Sequence, residues 1–316
     1  MAERLLRLGT RGSALALSQA TLVKKALGGA EIVTITTADG NRGDKSRFVR
    51  EIERALLDGE IDLAVHSAKD LPSELPEGLE IAGVPERADP RDAYIGHVSS
   101  LGNVPEGARI GTSSLRRRAQ ILARRPDLDV VELHGNVDTR LGRFEDGDFD
   151  GIVLAAAGLM RLGRGEEISF AIEPEEIIPA PGQGALAIEA RHADDKPVAV
   201  AQSITDRGAL GTLSAERALV ATLGGSCNTP LGATARLRPG GMMRLSAFCG
   251  LPDGSDWLRD EIEDDASDPE ELGTRLAERM DAAGARDILR RAEEMHRETG
   301  RSSDLKRVAP ERSALE

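Results

Sequence analysis

The chain has 316 residues, of which 40% are hydrophobic and only 2% aromatic, and its net charge at pH 7 is −13. This length suffices for two or three domains, and the spread of Leu, Val, Ile and Ala indicates aliphatic cores. The acidic charge argues against nucleic-acid binding, because phosphate backbones select basic surfaces. We find no apolar run typical of a signal peptide or membrane span, and two cysteines make no disulfide framework, so we expect a reduced, cytoplasmic protein. With five histidines and no CxxC or HxxxH, we expect no metal site.

The first half of the chain alternates patterns typical of strands and helices. Strand patterns lie at 4–9, 31–37, 61–66, near 81 and 94, and at 109–111, 128–133 and 151–154. Ser13 is the predicted cap of a helix that ends at Gly28-Gly29, and further helices are predicted at 47–57, 115–125, 137–144 and 156–162. This alternation favours mainly parallel sheets covered by helices.

The last third of the chain has a different pattern. A helix is predicted at 213–223, strands at 232–237 and 244–250, and helices at about 270–283 and 286–297. We therefore predict an α/β protein with two lobes and a cleft between them, followed by a small α+β domain. The predicted boundaries are 1–86 with 184–204 for lobe 1, 87–183 for lobe 2, and 205–316 for the C-terminal domain, with a polar tail from about 300.

Two strand–helix junctions share a hydroxyl-rich pattern, LGTRGS at 8–13 and IGTSS at 110–114. The free N–H groups and positive dipole end of each following helix suit an anion. Arg116, Arg117 and Arg118 stand in the first turn of the second helix, where cations oppose the dipole, so their placement costs stability unless an anion compensates. The pattern predicts an oxyanion site, and the alternative is a solvated basic helix end.

Two further junctions carry charged groups. HSAKDLP at 66–72 follows an apolar strand, and ligands of open α/β sheets bind beyond the carboxyl ends of strands. Lys69 beside Asp70 combines an anion-binding group with an acid/base group, although a turn with a surface ion pair is an equal alternative. HGNVDTR at 134–140 repeats the strand-to-helix arrangement, and Arg161 follows. Together these arginines predict a small polyanionic ligand in a basic cleft.

Two glycine-containing segments need separate interpretation. GQGALA at 182–187 fits a dinucleotide motif, but it precedes a predicted strand instead of a helix, so we interpret it as a hinge between the lobes. Cys227 lies in the turn-rich segment LGGSCNTPLG at 223–232. A free cysteine is more often a small buried residue, and that interpretation is kept for Cys249.

Seven segments together resemble the porphobilinogen deaminase (hydroxymethylbilane synthase) family. They are LGTRGSALALSQA, EIDLAVHSAKDLPSELPEGL, GTSSLRRRAQ, LHGNVDTRL, LAAAGLMRLG, PAPGQGALAIEAR and GGSCNTPLGA, in family order over roughly 4–300. The resemblance implies a monomeric transferase of tetrapyrrole biosynthesis. It would join four porphobilinogen units head to tail on a covalent dipyrromethane, releasing ammonia and hydroxymethylbilane. It also implies two lobes like type II periplasmic solute-binding domains and a C-terminal domain bearing a cysteine loop.

The resemblance assigns roles to individual residues of this chain. Cys227 would attach one dipyrromethane through a thioether, and Asp70 would be the catalytic carboxylate. Positions that bind pyrrole carboxylates or the cofactor's side chains are matched by Arg11, Ser13, Ser67, Lys69, Ser114, Arg116, Arg117, Arg140 and Arg161. Lys45 and Phe48 match a lid segment. Every pyrrole carries an acetate and a propionate, which the planar fork of arginine binds well.

The chain departs from the family pattern at two places. His134 stands where the family has arginine, and since histidine is partly charged near neutrality, we expect a weaker or pH-dependent carboxylate contact there. The segment ADGNRGDKSRF is shorter than the family's lid segment. The alternative function is a non-catalytic two-lobed binding protein for a small carboxylate or oxyanion, which would need no thiol at Cys227. An RNA-binding module is disfavoured by the acidic charge and scarce aromatics.

Overall fold

The computed structural model describes residues 4–36, 45–225 and 229–307, with side chains left out at 45–47 and 299–307. The described residues form three β-sheets with helices packed on them. The strands are β1 Arg7–Arg11, β2 Glu31–Ile35, β3 Leu63–Ser67, β4 Leu79–Gly83, β5 Asp92–Gly96, β6 Arg109–Gly111, β7 Asp129–Val131, β8 Gly151–Ala155, β9 Phe170–Ile172, β10 Leu186–Arg191, β11 Leu231–Arg238, β12 Met242–Gly250 and β13 Trp257–Asp265. The α-helices are α1 Ala14–Ala26, α2 Lys45–Leu57, α3 Leu115–Arg124, α4 Val137–Glu145, α5 Ala156–Arg161, α6 Asp195–Ser203, α7 Arg207–Leu223, α8 Pro269–Ala282 and α9 Ala285–Arg307.

The first sheet has the strand order β2-β1-β3-β10-β4. Strands β1, β2 and β3 are parallel, whereas β10 pairs antiparallel with both β3 and β4. On one face, Leu8 and Val65 pack with Val23 of α1. On the other face, Ala64 packs with Ile52 of α2. The sheet is therefore buried on both faces, as the apolar strand at 61–66 predicts.

The second sheet has the order β7-β6-β8-β5-β9 and repeats the plan of the first. Strands β6, β7 and β8 are parallel, and β5 is antiparallel to β8 and β9. The expectation of mainly parallel sheets is thus wrong for half of the strand pairs in these two sheets. The chain passes from the first sheet to the second between β4 and β5, and returns between β9 and β10. Strands β5 and β10 therefore do not follow a βαβ crossover within one sheet, which would make them parallel to their neighbours.

The third sheet is an antiparallel meander, β11-β12-β13, packed against α7, α8 and α9. Strand β13 was not predicted, because its sequence WLRDEIEDD is mostly charged and only Ile262 is buried. The short strand β9 and helix α6 were also missed. The predicted class, two α/β lobes plus a small α+β domain, is confirmed. Across the described ranges, no helix combines the length and apolarity needed to cross a bilayer.

Candidate active site

Four of the predicted site residues line one pocket at the edge of the first sheet: Arg11, Ser13, Ser67 and Asp70. They meet because β1 and β3 are parallel neighbours, so the chain leaves both strands at the same edge. Ser13 begins α1 as its N-cap, and its Oγ accepts from the backbone N–H of Ala16 at 3.3 Å. Asp70 ends a single 3-10 turn that follows β3.

Arg11 is held by an aromatic ring instead of a carboxylate. Its guanidinium carbon lies 4.3 Å from the ring centroid of Phe48 on α2. Its Nε is buried without a hydrogen-bond partner among the described residues. A cation over a ring face keeps its N–H donors available to an anion. The predicted lid residue Phe48 is therefore part of this pocket's edge, while the side chain of Lys45 lies outside the described residues.

Gln19 was missed by sequence reasoning, although it lines the same pocket. It is buried on α1, and its Nε2 donates to Ser67 Oγ at 2.8 Å. The available signal was a polar residue within the buried stripe Ala16, Ala20, Val23. The hydrogen bond from Gln19 fixes the position of the Ser67 Oγ at the pocket.

Lys69 connects the first sheet to the second through Gln183. The Lys69 ammonium donates to Gln183 Oε1 at 3.2 Å, and Gln183 Nε2 donates to Asp92 Oδ1 at 2.8 Å and to the carbonyl of Pro90 at 2.7 Å. Gln183 belongs to the GQGALA segment that we interpreted as a hinge. The adjacent Gly182 has φ +72°, and a Cβ there would lie 3.0 Å from the backbone of Ala68 and Lys69. The glycine allows this close approach.

Arg116 and Arg117 are buried and face an anion of the protein itself, Asp92. Arg116 Nη1 donates to Asp92 Oδ2 at 2.7 Å and to the carbonyl of Ile178 at 2.7 Å; Arg117 Nε donates to Asp92 Oδ1 at 2.9 Å. Burial alone would raise the pKa of Asp92, but the two guanidinium groups outweigh it and hold that pKa well below the usual carboxyl range. The anion that we expected as a ligand of these arginines is therefore supplied, in part, by the carboxylate of Asp92. Ser114 is the N-cap of α3.

Arg140 and Arg161 are half-buried cations whose hydrogen bonds, within the described part of the chain, go to neutral groups. Burial, and for Arg140 also the nearby Arg117, lowers the pKa of each to about 10. Arg140 Nη2 donates to Ser113 Oγ at 3.1 Å, and Arg161 Nη2 donates to the carbonyl of Gly184 at 2.7 Å. Both remain charged at neutral pH, so a bound carboxylate would offset their desolvation.

His134 is exposed and pairs with a neighbour on its own segment. Its Nε2 lies 2.8 Å from Glu132 Oε2. It follows β7, the edge strand of the second sheet, beyond the junctions that carry Ser114 and Arg161. Its side chain therefore has access to solvent, and its predicted binding role stays a prediction.

The C-terminal domain is joined to both connections between the lobes at one buried carboxylate, Glu216 of α7. It accepts from Arg87 Nη1 at 2.8 Å and Nη2 at 3.0 Å, from Gly182 N at 2.6 Å and from Ala235 N at 2.7 Å. Cys227 follows α7 in the sequence and lies outside the described residues. Cys249 is fully buried in β12, and burial raises the pKa of its thiol to about 12.

The geometry defines a class of protein. Two α/β lobes carry hydroxyls, arginines and a lysine at the carboxyl ends of their strands, and Asp70 is the one carboxylate among the described residues that line the pocket. Such a set suits a ligand with several carboxylates and proton transfer by one group.

Comparison with known proteins gives the family. The model of the porphobilinogen deaminase dipyrromethane cofactor-binding domain matches residues 6–199, and that of the porphobilinogen deaminase C-terminal domain matches 210–282. The chain is 48% identical over 297 residues to the porphobilinogen deaminase of Thermus thermophilus, covering 90% of this chain and 98% of that one. It is 44% identical over 304 residues to that of Deinococcus radiodurans, with 90% and 98% covered. The chain belongs to the porphobilinogen deaminase family.

The chain also shows a distant similarity to a solved structure. A periplasmic binding protein of an ABC transporter from Brucella ovis is 14% identical, with a TM-score of 0.38, over 69% of this chain and 68% of that one.

Proposed function

We propose that this chain is a transferase of tetrapyrrole biosynthesis that condenses four porphobilinogen units head to tail on a covalent dipyrromethane, releasing ammonia and hydroxymethylbilane. Family membership over both domains supports the activity. The observation that carries it is the pocket that brings Asp70 beside Arg11, Ser13 and Ser67. One acidic group among carboxylate-binding groups is what a deaminating condensation of acetate- and propionate-bearing pyrroles requires.

The described residues fit a group with carboxylate arms. Arg11, Arg116 and Arg140 each have a buried Nε that lacks a hydrogen-bond partner within the described part of the chain. A buried N–H donor without a hydrogen bond lowers the stability of the folded protein, and an acceptor on a bound ligand would remove this loss. We propose that these arginines, with Lys69, Arg117, Arg161 and the hydroxyls of Ser13, Ser67 and Ser114, hold the acetate and propionate arms of the dipyrromethane and of porphobilinogen. His134 would add a contact at the solvent side.

Dipyrromethane, when bound through the Cys227 sulfur, supplies the pyrrole carbon onto which the first unit is added. Asp70 accepts hydrogen bonds from pyrrole N–H groups and stabilises the positive charge that develops as the amino group departs. It also receives a proton from the pyrrole carbon at which the new bond forms and passes one to the leaving amine. The arginines orient the substrate through its carboxylates, so that condensation becomes a reaction between positioned partners. Phe48 would cover Arg11 from the side of α2.

Intact-mass spectrometry tests the proposal directly. After expression with porphobilinogen available, the wild-type chain should be heavier than its sequence mass of 33.7 kDa by one dipyrromethane, and Cys227→Ser should lack that increment. Cys249→Ser is the matched control and should keep it, because the Cys249 thiol is buried and its pKa is raised. A wild-type mass equal to the bare chain would contradict the proposal and favour a non-catalytic carboxylate-binding protein.

We also propose a cytoplasmic monomer with the three predicted domains. The distribution of strands supports the boundaries: β1–β4 and β10 form one sheet, β5–β9 the second and β11–β13 the third. Light scattering on the purified chain tests the oligomeric state, and a dimer mass would contradict it.

A further inference from the structure

Three ionisable side chains that the proposed chemistry does not use are buried beside the pocket. His66 of β3 is 5% exposed, Glu189 of β10 is 0% exposed and Glu53 of α2 is 4% exposed. The Nε2 of His66 lies 3.1 Å from Glu189 Oε2, and His66 lines the pocket. We refer to His66, Glu189 and Glu53 as the buried triad.

The register of the first sheet explains why these side chains share one face. In the antiparallel pair of β3 and β10, Ala187 lies opposite His66 and Glu189 lies opposite Ala64. Since side chains alternate along a strand, residues 64, 66, 187 and 189 point to the same side. Helix α2 covers that side, because Ala64 packs with its Ile52. Glu53 is the next residue of α2 and completes the triad.

The triad is not a saturated hydrogen-bond network. His66 Nε2 and Glu189 Oε2 are within ion-pair distance but do not meet hydrogen-bond geometry, and Glu189 Oε1 and Glu53 Oε1 also lack a hydrogen-bond partner among the described residues. The other charged groups that act on it are Arg50 from α2 and Arg217 from α7. Burial, and after it the charge of Glu189, raises the pKa of Glu53. Apolar residues of similar size would fill this space without the desolvation free energy of buried ionisable groups. Packing alone therefore does not explain why ionisable residues stand here.

Helix α2 connects the triad to the substrate-binding edge of the pocket. Phe48 lies five residues before Glu53 on this helix, and its ring lies 4.3 Å from the Arg11 guanidinium carbon. Val49, next along the helix, lines the pocket and packs with Ala187 of β10. The seating of α2 on the sheet therefore fixes the ring against which Arg11 rests.

We propose that His66, Glu189 and Glu53 are positioning residues, which seat helix α2 on strands β3 and β10 and thereby hold Phe48 and the Arg11 guanidinium in place for a substrate carboxylate. The part of this inference that concerns substrate rests on the proposed function. The part that concerns the seating of α2 by buried charged groups is independent of the proposed function.

The kinetic test uses Glu189→Gln, with Glu80→Gln as matched control. Glu80 forms the same type of pair, 2.9 Å from His192 Nδ1, but on the surface. Glu189→Gln should raise KM for porphobilinogen at least about tenfold while kcat of the folded enzyme stays within about threefold, because binding is disturbed and Asp70 is untouched. Glu80→Gln should change neither. A folded Glu189→Gln enzyme with wild-type KM would overturn the inference. If Glu189→Gln does not fold, the near-isosteric Glu53→Gln takes its place with the same expectation for KM.

A double-mutant cycle tests the route through Phe48. Phe48→Leu should raise KM by itself, and adding Glu189→Gln should raise it by less than the product of the two single effects, because both changes disturb one contact. Independent, multiplicative effects would contradict the coupling.

Urea unfolding of wild type and Glu53→Gln tests the buried carboxyl without activity. A carboxyl whose folded pKa is raised favours the folded state when protonated, and this contribution is lost as the pH rises above its ordinary value of 4.5. The unfolding free energy of wild type minus that of Glu53→Gln should therefore fall with rising pH from about 4.5. Parallel pH profiles would overturn the inference. Absence of hydroxymethylbilane from the wild-type reaction would contradict the proposed function alone.

Discussion

Gln183 donates a 2.8 Å hydrogen bond to the buried carboxylate of Asp92, and its carbonyl oxygen accepts from Lys69. One neutral side chain thus connects a cation at the first sheet with the anion that Arg116 and Arg117 share at the second. Its place between the two sheets makes it a direct polar connection from the candidate active site to the buried arginines.

We expect Gln183→Leu to weaken this connection. Lys69 and Asp92 would each lose a partner, which costs about 1–3 kcal/mol of unfolding free energy and lowers kcat/KM by about tenfold or more. Steady-state kinetics and urea unfolding measure both. Gln202→Leu, an exposed position on α6, is the control. Wild-type kinetics in a merely destabilised Gln183→Leu protein would refute a role in positioning Lys69.

Asp92→Asn should be the most destabilising of these single substitutions. It leaves two buried guanidinium groups without their anion, and breaking a buried pair in this way costs about 3–5 kcal/mol. Asp127→Asn, at a partly exposed pair with Arg125, should cost much less.

The same residue predicts a pH dependence. Because the folded pKa of Asp92 is held below its unfolded value of about 3.9, its contribution to stability is complete above that pH and is lost as the pH falls. The unfolding free energy of wild type should fall more steeply below about pH 4 than that of Asp92→Asn. Equal acid slopes would show that Asp92 is not ionised in the folded protein.

Asp70→Ala should fold normally and lose nearly all turnover. Removing the group that moves protons typically costs about 10²–10⁴-fold in rate. Hydroxymethylbilane formation by purified protein measures the effect, and Asp58→Ala, at a surface pair with Arg54, is the control. Substantial turnover by Asp70→Ala would mean that another group performs this step.

His134→Arg should improve substrate binding. The planar fork of arginine suits a carboxylate better than the imidazole ring of His134, so KM for porphobilinogen should decrease. His192→Arg, also exposed and paired with a glutamate, controls for added surface charge. An unchanged or higher KM in His134→Arg would refute a carboxylate contact at this position.

Local signals predicted much of the fold. Ser13 and Ser114 begin helices as N-caps, with their Oγ accepting from the third backbone N–H beyond. The apolar strand patterns placed β3 and β8 within two residues of their observed bounds. These features depend on neighbours in sequence, and their periodicity is visible in a single chain.

Features that depend on distant partners were not predictable in this way. Arg116 and Arg117 were expected to await an external anion, because nothing in the sequence pairs them with Asp92, more than twenty residues earlier. Gln19 and Gln183 stand within quoted motifs, but their roles follow from where sheet topology places Ser67 and Lys69. The direction of β10 follows likewise from a connection between lobes.

The four hydrogen bonds to Glu216 tie the C-terminal domain to both connections between the lobes. Arg87 comes from the connection between β4 and β5, Gly182 from the segment before β10, and Ala235 from the C-terminal sheet. A rotation of one domain that separated these groups would break several bonds to one carboxylate at once. Small rotations about Glu216 change the lengths of these bonds least. The geometry therefore favours opening of the cleft as a hinge about a fixed point and opposes sliding of one domain past another.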